Sequence, residues 1–190
     1  MSIFTSPDKK DLPARERILL TAHDLFYRYG IRATGIDRVI AKAGVTKVTF
    51  YRHFPSKNDL IVEYLEFRHQ RWMGWFEDAL QRHGGKASAI VPTMSEWFSD
   101  PQFRGCAFIN SVGELGGVMP EVVEITQRHK QEMIDAIAAL LPTSRKRKRD
   151  AEAIGVAIDG AIIRAQFDEA PANALQGLDR LIKSLLKASG

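Results

Sequence analysis

Between Thr46 and Phe54 the chain carries an ammonium, a hydroxyl, a phenol, a guanidinium and an imidazole: Lys47, Thr49, Tyr51, Arg52 and His53. Groups of this kind hold phosphate oxygens and read the edges of bases, so the chemistry they offer is recognition rather than bond-making. The apolar Val48, Phe50 and Phe54 stand between them, and Pro55 closes the stretch. Thr46 is a residue type that caps a helix, and the run behind it reads as a short helix with donors at its exposed end.

A second short helix must hold that one in place. Ile36, Val39 and Ile40 recur at helical spacing. Thr34 and Asp37 have the spacing of a capping box, and Gly44 stands where a left-handed residue ends a helix. Two short helices joined by a tight turn form a helix-turn-helix, whose second helix enters the major groove of DNA. On this reading Val48 and Thr49 meet thymine methyls or a base acceptor, Lys47 a guanine or a phosphate, and Arg52 a base or the backbone. Thr34 and Thr46 serve as phosphate contacts as well as caps. Phe50 and Phe54 fit core positions.

The run GVTKVTFYRHFPSKNDL, Gly44 to Leu60, resembles the DNA-binding signature of TetR-type transcriptional regulators. The likeness covers about the first third of the chain in detail. Beyond it, length and helical character agree, as does a GCAFIN segment from Gly105 to Asn110 that is similar to one in several TetR-type ligand domains. Val48 departs from the pattern, which more often has a small residue there. The resemblance implies that Tyr51, His53 and Lys57 hold the DNA backbone. It also implies a homodimer joined by a four-helix bundle of two late helices from each subunit. Twofold symmetry of that kind suits a palindromic operator in double-stranded DNA.

Charge is placed unevenly. Residues 1–58 carry 11 Lys/Arg against 5 Asp/Glu, a balance of +6, whereas residues 59–190 carry 16 against 18, a balance of −2. A basic first third points to a polyanion partner, although a charged surface without a partner gives the same count. Cys106 is the single cysteine, which leaves no intramolecular disulfide and no thiolate metal cluster. The five histidines, His23, His53, His69, His83 and His129, lack metal-ligand spacing. No cofactor is expected. There is no glycine-rich phosphate loop and no serine elbow, so the chain does not read as an enzyme. The N-terminus lacks the pattern of a secretory signal, and no apolar run reaches the roughly 20 residues that cross a bilayer. The expected location is cytoplasmic, with no membrane partner.

The remaining segments all read helical, and the expected fold is all-α with about nine helices. Residues 1–12 look like an arm carrying Lys9 and Lys10. A helix after Pro13 turns Ile18, Ala22, Leu25, Phe26 and Tyr29 to one side and must cover the helix-turn-helix, making a three-helix domain. Ser56 and Asp59 form another capping box, opening a long helix over about 57–83 with Ile61, Tyr64, Leu65, Arg68, Trp72, Trp75, Phe76, Ala79 and Leu80 at a period near 3.6. Such a helix is about 40 Å long and can belong to two domains. Later helices are expected over about 87–99, 104–117, 121–141, 147–169 and 172–188. The division is a DNA-binding domain over 1–58 and a helical effector-binding and dimerisation domain over 59–190.

Two faces suit a partner helix: Val122, Ile125, His129, Met133, Ile137 and Leu140, and the small residues Ala153, Ala157, Gly160, Ala161 and Ala165. Packing within the subunit accounts for them equally well. The basic run Arg145 to Arg149 reads as a solvated loop. The second domain is rich in aromatics, and core packing explains most of them singly. As a set, the resemblance implies a small-molecule effector pocket from Trp72, Trp75, Phe76, Trp97, Phe108, Asn110, Ser111, Glu114, Arg164 and Phe167. The function expected is a ligand-responsive repressor released from its operator by a small apolar effector. The rival readings are a helical DNA-binding regulator without an effector and a protein–protein adaptor.

Overall fold

The computed structural model describes residues 11–168 and 170–189, and the terminal arm with Lys9 and Lys10 lies outside them. Among the described residues nine α-helices follow one another: α1 (Ala14–Tyr29), α2 (Ile36–Ala43), α3 (Lys47–His53), α4 (Lys57–Arg82), α5 (Ile90–Phe98), α6 (Ala107–Leu115), α7 (Pro120–Leu140), α8 (Arg147–Phe167) and α9 (Ala172–Ser189). A 3₁₀ turn, Ala87–Ala89, leads into α5, and no strand occurs among the described residues. The all-α expectation holds.

The chain divides into two compact units, residues 1–72 with 107–126 and residues 73–106 with 127–190. Spacing and charge in the sequence place the boundary at 58/59 instead. The difference has a physical cause, since α1, α2 and α3 are too short to close a core by themselves. Leu60, Ile61, Tyr64 and Leu65 from the first half of α4 are buried at 2% exposure or less and complete it. α4 therefore runs without interruption from the first unit into the second, as does α7.

In the first unit α1 packs on both α2 and α3. Its Ile18, Ala22, Leu25 and Phe26 are buried, as their spacing predicts. Tyr29 is not: it is 44% exposed, with the Arg38 guanidinium 4.2 Å over its ring. The opening of α2 also differs from expectation. Its N-cap is Gly35, with no side-chain cap, while Thr34 is fully buried and donates its hydroxyl to the Gly30 carbonyl at 2.8 Å. Thr34 thus closes the end of α1 rather than the start of α2. Ser56 does cap α4, accepting the Asp59 N–H at 3.2 Å, and its hydroxyl goes to the Asp59 carboxylate.

In the second unit α8 packs on α9, and α5 on α9. Ile154, Ile158 and Ile162 of α8 are buried, as are Leu178 and Ile182 of α9. Lys130 of α7 reaches Asp159 of α8 at 2.5 Å. Trp97 stands at the centre of an aromatic group, with its ring centroid 6.2 Å from Trp75, 6.1 Å from Phe98 and 5.3 Å from Phe103.

Candidate nucleic-acid interface

α3 is built as an anchored, capped helix with one free side. Phe50 and Phe54 are 0% and 1% exposed and fix it to the head's core. Thr46 is the N-cap, its hydroxyl accepting the Thr49 N–H at 3.1 Å. The two threonine hydroxyls also meet at 2.9 Å, so the cap orders the end of α3 that carries Lys47 and Val48. Lys47, Val48, Tyr51 and Arg52 share one face at the i, i+1, i+4, i+5 positions. All four are exposed, Val48 at 79% and Tyr51 at 41%. Thr49 and His53 are half-buried at its margins. No carboxylate lies on α3, and the face offers only donors and one isopropyl group.

The turn before α3 is held by its own backbone and by α1. Gly44 ends α2 in the left-handed region, at φ 62°, which a residue with a side chain adopts reluctantly. Arg17 of α1 donates to the carbonyls of Ala43 at 3.2 Å and Gly44 at 3.4 Å, satisfying carbonyls that the end of a helix leaves open. Nothing in the local sequence around Arg17 announces this contact, which bridges 26 residues.

A second brace lies on the other side of the head. Glu114 of α6 accepts the backbone N–H of Ile31 at 3.0 Å and of Arg32 at 2.6 Å, in the connection between α1 and α2. Gly30, at φ 87°, lets the carboxylate approach, since a Cβ there would stand 3.1 Å from its oxygen. Lys57 donates to the Ile31 carbonyl at 2.6 Å, and burial pulls its pKa down while the Glu114 charge pushes it up.

These contacts correct two expected roles. Thr34 is fully enclosed and presents nothing to a phosphate. Lys57 is half-buried and tied to the Ile31 carbonyl, so in this conformation it braces the head and does not face outward. Thr46, Lys47, Val48, Thr49, Tyr51, Arg52 and His53 lie together on α3 and its cap.

The ten residues expected to line an effector pocket fall in both units. Trp75, Phe76 and Trp97 are buried in the second unit. Trp72, Phe108 and Ser111 are buried in the first, where the Ser111 hydroxyl donates to the Ala107 carbonyl at 2.7 Å and Asn110 is half-buried. Glu114 is engaged with the head. Arg164 is exposed and paired with Asp168 at 3.1 Å, and Phe167 is 64% exposed. Phe167 and Arg164 therefore line a surface, not a cavity, of this chain.

The two partner faces resolve differently as well. Val122, Ile125, His129, Met133 and Ile137 of α7 are buried within the chain, which removes that face from contention as a docking surface. On α8, Ala161 and Ala165 are buried and Ala153 and Ala157 half-buried, so the small-residue face packs mostly inward. The outward stripe is larger: Val156 is 74% exposed, Gly160 exposed, Ile163 39% exposed and Phe167 64% exposed. The five basic residues 145–149 are at the surface, Arg147 partly so, with its Nε donating to the Ala138 carbonyl at 2.6 Å. Among the described residues no three His, Cys, Asp or Glu side chains gather as a metal site, and no helix is long and apolar enough to cross a membrane.

Residues 18–64 match the family described as bacterial regulatory proteins, tetR family. They are similar to the HTH-type transcriptional activator FasR of Mycolicibacterium smegmatis, with 39% identity over 58 residues, 29% of this chain and 26% of that protein. The chain spans 18–27% of the length of the curated relatives it matches. Over nearly the whole chain the fold is similar to that of SCO4454, a TetR-family transcriptional regulator from Streptomyces coelicolor. That match has a TM-score of 0.81 and 28% identity over 93% of this chain and 95% of the other. The multidrug binding protein EbrR, solved with malachite green, shares the fold at a TM-score of 0.68, 15% identical and covering 90% and 96% of the two chains.

Proposed function

We propose that this chain, a TetR-family regulator by its helix-turn-helix domain and its fold, binds operator DNA through α3 and represses transcription as a homodimer until a small molecule releases it. The observation that carries the reading is the outward face of α3, donors and one branched apolar side chain set on a helix whose opposite side is locked by Phe50 and Phe54. Val48 and Thr49 read bases, and Lys47, Tyr51, Arg52, His53 and Thr46 hold phosphates. Thr34 and Lys57 act behind them, by positioning. The regulator works in the cytoplasm.

Dimerisation through α8 and α9 is supported by the bare Val156, Gly160, Ile163 and Phe167 stripe. Exposed side chains of this size in register along one helix are costly unless covered. A twofold pair sets two α3 helices on half-sites one helical turn apart, about 34–36 Å. Release is a population shift, in which an effector favours a form whose heads no longer match that spacing. The continuous α4, which runs from the head into the second unit, is the route by which that unit can bias the head. EbrR, solved with malachite green, supports a small-molecule effector of the aromatic kind.

A footprint of the purified protein on DNA flanking its own gene tests the reading. A protected, palindromic segment is expected, lost in Lys47→Ala and Tyr51→Ala. Absence of any protection at low salt overturns it. A second reading, a regulator without an effector, draws on one observation: of the residues expected to form a pocket, Arg164 and Phe167 are exposed and Glu114 is engaged with the head. A footprint that no apolar aromatic compound weakens decides for that second reading.

A further inference from the structure

We infer that the second unit carries a separate ligand site, a cleft that takes a free single-chain anionic amphiphile with its tail inside and its head group at Lys86. The cleft has a volume of about 600 Å³, within the range of small-molecule sites. Its floor is made by Ala87, Leu140, Leu141, Pro142 and Leu186, from the 3₁₀ turn, the end of α7 and the last turns of α9. None of these belongs to the aromatic set or to the α8 stripe, and the inference stands whether or not the DNA reading does.

Charge selects the ligand. The polar residues lining the cleft are Lys86, Ser88 and Ser144, and no acidic residue lines it. Arg145 and Lys146, both exposed, follow Ser144 directly. α8 then opens with Arg147, Lys148 and Arg149 in its first turn, and its N-cap Lys146 makes no side-chain cap bond. Cations at the positive end of a helix repel its dipole, and buried Asp150 is the one acid in that turn. Lys86 in the lining, with a run of basic residues continuing directly from Ser144, gives this cleft a positive balance that an anionic head group neutralises. The neighbouring shallow cleft that shares Leu140 is lined by Glu77 and Asp78, which turns an anion away from that side. A tail without a charge satisfies the floor but not this field, and a bare phosphate the reverse.

The test is calorimetric titration of the full chain with octanoate, decanoate and dodecanoate below their micelle concentrations, beside dodecanol, dodecylammonium and inorganic phosphate. Affinity is expected to rise about fourfold for each added methylene that the cleft buries. Dodecanoate is expected to bind more tightly than dodecanol, and dodecylammonium and phosphate not at all. Lys86→Gln should weaken dodecanoate about three- to tenfold and leave dodecanol unchanged. Ser144→Trp, at an exposed loop position, should fill the cleft and abolish both, with the helical signal and melting temperature retained. Dodecanol as tight as dodecanoate overturns the inference. So do dodecanoate binding that Ser144→Trp leaves intact, and association with anionic vesicles in the absence of any binding of free dodecanoate.

Discussion

The carboxylate of Glu114 closes on the backbone N–H of Ile31 at 3.0 Å, joining residues 83 apart in sequence. Its other oxygen takes the Arg32 N–H, so one side chain satisfies two donors in the α1–α2 connection, and Lys57 holds the carbonyl between them. An acid on α6 thus sets the attitude of the helix-turn-helix.

Replacing it tests that role. Glu114→Ala leaves the Ile31 and Arg32 donors without their acceptor, at a cost of about 1–3 kcal/mol. Urea unfolding followed by circular dichroism should show a lower midpoint with an unchanged slope. Glu114→Gln keeps one acceptor and should lose less.

Two substitutions on α3 separate contact from folding. Lys47 and Tyr51 are exposed, and removing either side chain should leave the melting temperature within a degree or two of the parent. Lys47→Ala should weaken DNA binding across sequences and reduce the salt slope by about one. Val48→Ala should change which base is preferred more than how tightly DNA is held. Competition binding over a salt series reads all three.

The cap of α3 predicts a third result. Thr46→Ala removes the acceptor for the Thr49 N–H and should cost about 1 kcal/mol. Thr46→Ser restores it. Because the cap sits at the reading end, operator affinity should follow the same order, measured by fluorescence anisotropy.

Acid should loosen the head first. His23 is 1% exposed, and burial, helped by Arg68 and opposed by Asp24, lowers its pKa from 6.5 to about 4. Arg68 lies 3.3 Å from Nε2 and Asp24 3.2 Å from Nδ1, an arrangement that suits the neutral ring protonated on Nδ1. Between those two values the unfolded chain binds a proton that the folded one refuses. Stability is therefore complete above about pH 6.5 and falls as pH drops towards 4. Glu96 behaves differently. Its hydrogen bonds to Arg82, with burial opposing, hold its carboxylate at about 2, so its smaller, solvent-screened contribution is lost only below about pH 4.5. Hydrogen exchange at pH 5 should show amides of α1 opening before those of α5. The imidazole signal of His23, followed by NMR, should not titrate until well below pH 6.

The α8 stripe predicts an assembly. Phe167→Asp and Val156→Arg introduce charges at exposed positions and should preserve the fold while shifting sedimentation from dimer to monomer. A monomer should bind a single half-site far more weakly than the pair binds the whole operator. Unchanged sedimentation would count against α8 as the interface.

Much of this molecule was legible from periodicity. The buried positions of α4 from Ile61 to Leu80, Arg68 among them, lie where a period near 3.6 puts them. The cap at Thr46 and the stop at Gly44 follow from residue type alone. Thr34 shows the limit: a hydroxyl before a helix can serve that helix or the one before it, and here the carbonyl of Gly30 competes successfully. The Glu114 brace and the Arg17 contact with the turn were beyond reach, because both depend on residues brought together only by the fold. The outward stripe of α8 escaped for another reason. Spacing alone puts its small residues on one face, and only burial shows that Ala161 and Ala165 pack inward while Val156, Ile163 and Phe167 point away.

The two units exchange the chain three times: inside α4 after Trp72, ahead of α6 after Cys106, and inside α7 after Thr126. Two of the three crossings lie within unbroken helix, where a protease finds no loop to cut. A fragment ending at residue 72 would keep all of α3 yet lose the acid that grips Ile31 and Arg32. Severing this molecule into two self-sufficient pieces therefore requires grafting residues 107–126 back onto the first.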